Sequence, residues 1–236
     1  MKVLVLGDSD SEGRFLKGTT WPELLKASLE ARLEAPVEVA SVGFSAVSTT
    51  APAYAEKRVS QHQPDVVVLL LGSFGFTAKF SWLRVRQLFG ERAGRWYKAI
   101  EDSFDDNTRD KNAGRDRLNR AAHWMVPQVL PGKSLSTRAA VTETYREVFQ
   151  TLSRFEDAQL IIMSYPGFGA HARQGDAPRQ RKLFFADMQA AAREHHIAWV
   201  DGVKAFEGVD RQSVKSDELH FNSAGWHRTL KRFAGE

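Results

Sequence analysis

Short continuous apolar runs alternate along the chain with longer stretches whose apolar positions recur every three or four residues. The first run, Val3-Leu4-Val5-Leu6, closes on Gly7 and is too short for a helix, so it predicts a buried strand. Trp21-Pro22 followed by Leu24, Leu25, Leu29 and Leu33 predicts a helix with proline in its first turn and one buried face, ended by Pro36. Val37 to Val42 predicts a second strand leading into Gly43-Phe44-Ser45, and Ala51 to Gln61 a second helix. The turn Gln63-Pro64-Asp65 then delivers Val66 to Leu71, an unbroken apolar run suited to a central parallel strand covered on both faces. Beyond Gly72-Ser73-Phe74-Gly75 the alternation stops. Residues 77–150 show helical spacing around Trp82, Val85, Leu88 and Phe89 and again around Val141, Tyr145, Val148, Phe149 and Leu152, which predicts a largely helical insertion or lid. The alternation resumes with a strand at Leu160 to Ser164, a helix at Arg179 to His195, a strand at Ile197 to Asp201, and a last helix at Ala224 to Phe233 that Asn222 or Ser223 can cap.

Five strands joined through helices require right-handed crossovers, and that order predicts a three-layer α/β/α sandwich with a five-stranded parallel sheet. The expected organisation is a single domain over 1–236, with 77–150 inserted. In such sheets ligands gather outside the carboxyl ends of the strands. Ser9, Gly43 and Ser73 all follow predicted strand ends, so they are expected on one edge, where His220 must also arrive.

Composition narrows the function classes. The chain has 236 residues, 42% of them hydrophobic, enough for one sizeable core. Its formal charge is +4, but 33 basic residues face 29 acidic ones dispersed throughout, a weak signal for an anionic partner. The charge alternation from Asp105 to Arg120 reads as a solvated surface, and with no aromatic-studded basic cluster in view, no nucleic-acid partner is expected. The absence of cysteine excludes disulfides, thiolate metal sites and a cysteine nucleophile. The N-terminal apolar run ends at Gly7 and serves as a strand rather than a secretion signal, so a cytoplasmic location is expected. No stretch nears the roughly 20 apolar residues of a membrane span. His195-His196 suits a helix C-terminus, His123, His171 and His227 read as surface or core positions, and no metal site is expected. Neither Gly72-Ser73-Phe74-Gly75 nor Gly167-Phe168-Gly169 fits a phosphate loop, so no cofactor is expected.

The candidate chemistry lies at the two ends. Gly7-Asp8-Ser9 turns sharply off the first strand and lifts a hydroxyl from the sheet, making Ser9 a candidate nucleophile. A serine hydroxyl needs a base to take its proton, and that base needs a carboxylate to orient it. Ser216-Asp217-Glu218-Leu219-His220 supplies both just ahead of the last helix.

With Gly7-Asp8-Ser9 near the N-terminus and Asp217-x-x-His220 near the C-terminus, the chain resembles the SGNH (GDSL-type) serine hydrolases. The resemblance spans the whole chain, with little contribution from 77–150, and implies a flavodoxin-like α/β/α fold and a serine-dependent ester hydrolase without cofactor. It further implies that Ser9 attacks an acyl carbon, His220 moves the proton and Asp217 holds the imidazole. The oxyanion would be held by the Ser9 N–H, the Gly43 N–H and an asparagine after the third strand. Aligning the family's Gly-x-Asn-Asp block with Gly72-Ser73-Phe74-Gly75 places Phe74 at the asparagine. Three readings stay open: a slow esterase, one that recruits Ser73 or a backbone N–H as substitute donor, or a protein that has left hydrolysis. Phe74 and Asp10 are assigned to the substrate wall. The substrate implied is a small acyl ester, such as an acetylated carbohydrate or a short-chain ester. An acyltransferase or a weakly active acyl-recognition protein is the alternative.

Overall fold

The computed structural model describes residues 1–7, 21–105, 115–165 and 175–204. Within them five strands, β1 (Lys2–Gly7), β2 (Glu38–Gly43), β3 (Val66–Leu71), β4 (Gln159–Ser164) and β5 (Ala198–Val200), form one sheet in the order β2-β1-β3-β4-β5. All four pairings are parallel. The described residues divide into two compact units. One combines residues 1–77 with those from 138 onward, and the other is Ala78–Thr137.

In the first unit β1 and β3 are buried along nearly their whole length, as unbroken apolar runs require when both faces are covered. Their side chains sort by the period-two rule of a strand. Leu4, Leu6, Val67, Leu69 and Leu71 enter the larger core, while Val3, Val5, Val68 and Leu70 enter a second core on the opposite face. The second core is closed by Trp21 and Leu25 of α1 (Trp21–Leu33). The larger one is covered by α2 (Ala51–His62), α6 (Arg138–Leu152) and α7 (Ala177–Glu194). The sheet thus carries helices on both faces, the expected three-layer α/β/α arrangement. The predicted last helix, Ala224 to Phe233, lies outside the described residues.

Local chemistry explains where these helices stop and how they are tied. Gln63 ends α2 in the left-handed conformation (φ 44°), its N–H donating to the Val59 carbonyl at 2.8 Å. That leaves Asp65 to lock the start of β3: its Oδ2 accepts the Lys2 N–H at 2.6 Å, and its own N–H donates to the Lys2 carbonyl at 2.9 Å. On α6, Val141, Tyr145, Val148, Phe149 and Leu152 are all buried against the sheet, the stripe that their spacing predicts. Arg138 joins α6 to α7 through an ion pair with Asp187 and a 3.1 Å bond to Gln180 Oε1.

The helix-rich stretch expected at 77–150 is therefore divided. Its final helix, α6, packs in the core of the sheet unit, and the separate unit stops at Thr137. The spacing of Val141 to Leu152 is that of any helix with one buried face, so it does not tell which core the face joins. The separate unit holds α4 (Ser81–Asp105) and α5 (Arg115–Val129). Val85, Tyr97 and Ile100 form its small core, with Ala93, Ala122 and Val126 packed around them. Helix α4 is bent at Gly90, whose φ of 86° is open to glycine and strained for any residue with a Cβ. Phe80 and Lys133 close the unit's base through an antiparallel bridge, with backbone bonds of 3.0 and 3.1 Å.

Candidate active site

Strand β1 lies between β2 and β3, and the chain leaves it on one side for β2 and later crosses to β3 on the other. This is a topological switch point, the place on an open parallel sheet where a crevice opens beyond the carboxyl ends. The parallel register puts Gly7, the last residue of β1, beside Gly43, the last residue of β2. The Phe44 N–H donates to the Gly7 carbonyl at 2.5 Å. Two glycines thus end adjacent strands where the backbone is unshielded by side chains. The following Phe44 turns into the larger core and packs 6.1 Å from the Tyr145 ring.

On the other flank, the residues after β3 do not form the open loop that Gly72-Ser73-Phe74-Gly75 suggests. They enter a single helical turn, α3 (Phe74–Thr77). The Ser73 carbonyl accepts the N–H groups of Phe76 and Thr77 at 3.2 and 3.0 Å and the Thr77 hydroxyl at 2.9 Å, and Ser73 itself is buried. The Gly72 N–H donates to the Tyr145 hydroxyl at 3.2 Å. Tyr145 comes from α6, is 3% exposed, and packs at a tilt against the rings of Phe184 (5.7 Å) and Phe149 (6.5 Å). A buried tyrosine thus holds the first residue after β3 in place. Phe74 opens α3 and, unlike its buried neighbours Gly75 and Phe76, is 40% exposed.

Further along the same edge, the ends of β4 and β5 are tied to each other. Ser164 is 1% exposed, and its hydroxyl donates to Asp201 Oδ1 at 3.3 Å while accepting the Val203 N–H at 3.4 Å. Asp201 Oδ1 also accepts the Lys204 N–H at 3.2 Å. A Cβ on the intervening Gly202 would lie 2.3 Å from the Ser164 carbonyl oxygen, so only glycine fits this close approach.

Of the candidate site residues, Gly43, Ser73 and Phe74 are described: Gly43 ends β2, and Ser73 and Phe74 follow β3, the two strands that flank β1. Ser9, Asp10, Asp217 and His220 lie outside the described residues, as do His171 and His227. His195 ends α7, its N–H donating to the Ala191 carbonyl at 3.2 Å, and His196 follows at φ 55°. Both act in the helix end. Sequence reasoning missed Tyr145 as the anchor of Gly72, and the Ser164–Asp201 tie. A polar residue at each of two strand ends was the available signal for the tie. Nothing in the helical spacing of Tyr145 revealed the job of its hydroxyl.

The sequence profile of the GDSL-like lipase/acylhydrolase family matches residues 5–228. No curated protein matches the chain by sequence. Among solved structures, the acetyl xylan esterase AlAXEase superposes with a TM-score of 0.60 at 15% identity, covering 100% of this chain and 98% of its own. The acetylxylan esterase Axe2 from Geobacillus stearothermophilus gives 0.61 at 16%, covering 99% and 92%. TesA gives 0.57 at 18%, covering 100% and 97%. At such identities the likeness is one of fold, and it agrees with the parallel five-stranded sheet. The profile match is of another kind, because it runs from within β1 almost to the C-terminus, and on it the chain belongs to the GDSL-like lipase/acylhydrolase family.

Proposed function

We propose that this ester-hydrolysing enzyme works through Ser9 as nucleophile, His220 as general base and Asp217 as the carboxylate that orients the imidazole, and that its substrate is a small acyl ester. The observation that carries the reading is the carboxyl edge around β1. Ser9 stands two residues along the chain from Gly7, which pairs with Gly43 at the end of β2, while β3, on the other side of β1, runs on into the Tyr145-anchored turn. In the proposed reaction the Ser9 hydroxyl gives its proton to His220 as its oxygen bonds to the acyl carbon. The carbonyl oxygen becomes an oxyanion held by the N–H groups of Ser9 and Gly43, with Ser73 as substitute third donor. The alcohol departs with the proton from His220, and water then releases the acid by the same steps. Acetylated carbohydrate is the favoured ester, in keeping with the two acetylxylan esterases of like fold. Asp10 and Phe74 are assigned to the substrate wall.

Phe74 favours a second reading. At the position of the expected asparagine stands a half-exposed aromatic ring that donates no hydrogen bond. An apolar wall excludes water from an acyl-enzyme and so favours transfer of the acyl group to another alcohol, or weak turnover. Hydrolysis of p-nitrophenyl acetate by the purified protein, compared with Ser9→Ala, tests the first reading. The variant is expected to lose about 10³-fold or more in kcat, and equal rates would overturn it. Partition of the acyl group between water and an added sugar alcohol separates hydrolase from transferase.

A further inference from the structure

Dividing the chain into its two units also divides its charge. Residues 78–137 hold twelve lysines and arginines against seven aspartates and glutamates, a net charge of +5, and the rest of the chain nets −1. The basic excess of the protein therefore resides entirely in the α4–α5 unit. Within it, the stretch from Ser81 to Ile100 has five cations, Arg84, Arg86, Arg92, Arg95 and Lys98, against the single carboxylate Glu91.

The exposed apolar surface is concentrated in the same place. Among the described side chains, six of the ten exposed large hydrophobic residues belong to this unit. On α4 they flank the bend at Gly90: Leu88 and Phe89 precede it, at 49% and 66% exposure, and Trp96 follows, at 53%. In the second half of α4 the buried positions are Gly94, Tyr97 and Ile100, with Ala93 beside them. Arg92 and Trp96, four residues apart, lie on one flank of that buried face, and Trp96 is exposed. Arg92 and Arg95 are both exposed. Beside the first half lies a cavity of about 360 Å³, lined in part by Leu83, Arg86, Lys133 and Leu135. Two cations there face one carboxylate, Glu91, which lies 3.7 Å from Arg86.

Exposed Phe and Trp set among arginines match what an anionic bilayer interface takes up, with rings at headgroup depth and guanidinium groups on phosphates. No helix among the described residues is long and apolar enough to cross a membrane, so such contact would lie along the surface. We propose that the exposed side chains on either side of the Gly90 bend in α4, Phe89 before it and Arg92, Arg95 and Trp96 after it, dock the protein onto an anionic phospholipid surface. The inference is independent of the triad, since it uses no residue of it.

The test is co-sedimentation of the full chain with vesicles of phosphatidylcholine alone and of phosphatidylcholine mixed with phosphatidylglycerol. Binding is expected to the mixed vesicles only, and to weaken as salt rises. Phe89→Ser with Trp96→Ser, and separately Arg92→Glu with Arg95→Glu, should each lower the partition coefficient about tenfold or more. Both double variants should keep the wild-type circular dichroism and the wild-type rate on a water-soluble ester. Equal binding to both vesicle types, or binding that neither double variant weakens, would overturn the proposal. So would finding that the same substitutions instead dissolve a dimer in analytical ultracentrifugation, which would assign the face to a second copy. Salt-sensitive binding to single-stranded nucleic acid, with none to vesicles, would overturn it as well.

Discussion

At the residue scale, the turn after β3 rests on one hydroxyl. Tyr145 Oη accepts the Gly72 N–H at 3.2 Å from a buried position, and Tyr145→Phe keeps the ring packing while stripping that amide of its acceptor. An unpaired amide in a part-buried site costs about 1–3 kcal/mol, so urea unfolding should show a loss of that size, together with a fall in kcat as the neighbouring Ser73 loses its fixed position. Ser73→Ala tests the third oxyanion donor directly. It should lower kcat on p-nitrophenyl acetate by about ten- to a hundredfold with little change in KM, because such a bond strengthens in the transition state. An unchanged kcat would remove Ser73 from the oxyanion hole. The strand that closes on Gly7 and the one that closes on Gly43 were legible because the signal is local: a run of a few apolar residues stopped by glycine is short for a helix and suits a buried strand. Tyr145 shows the limit, since its partner is 73 residues away and only the folded sheet brings them together.

Among the elements, the strands were the most legible. Val66 to Leu71 is apolar without interruption and became the buried β3 with neighbours on both sides. The helices α2 and α7 were placed to within a residue or two, with α7 beginning at Ala177 rather than Arg179, while α4 was given no bounds and α5 was read only as charged surface. What spacing did not reveal was the destination of each buried face, which is why α6 was grouped with the inserted helices although it closes the main core. The four-residue α3 was also missed, being too short for any periodicity. The bend in α4 makes an element-scale prediction. Gly90→Ala places a Cβ at φ 86° and ψ 174°, a region essentially reserved for glycine, costing about 1–3 kcal/mol, and thermal unfolding should show a lower Tm. Ala93→Gly, on the same helix at an ordinary helical position, should cost up to about 1 kcal/mol through backbone entropy alone.

On the scale of the whole molecule, parallel connectivity does most of the functional work. It gathers the ends of β1, β2 and β3 on one edge, as the alternation of strands and helices predicts. The uneven charge was not legible in the same way, because +4 over 236 residues averages a basic unit with a nearly neutral one. A base role for His220 also acts at this scale, since the base must come from the far end of the chain. Imidazolium cannot take a proton from Ser9, so kcat/KM should fall as pH drops through a histidine pKa, whose reference value is about 6.5. A flat profile between about pH 5 and 8 would contradict that role.

The most direct measurement is intact-mass analysis after reaction with a fluorophosphonate, which captures only an activated serine. The account predicts one adduct per chain, mapped by peptide fragmentation to Ser9, with no adduct on Ser9→Ala and sharply slowed labelling of His220→Ala. Labelling elsewhere in the chain, or none on the folded wild-type protein, would contradict it.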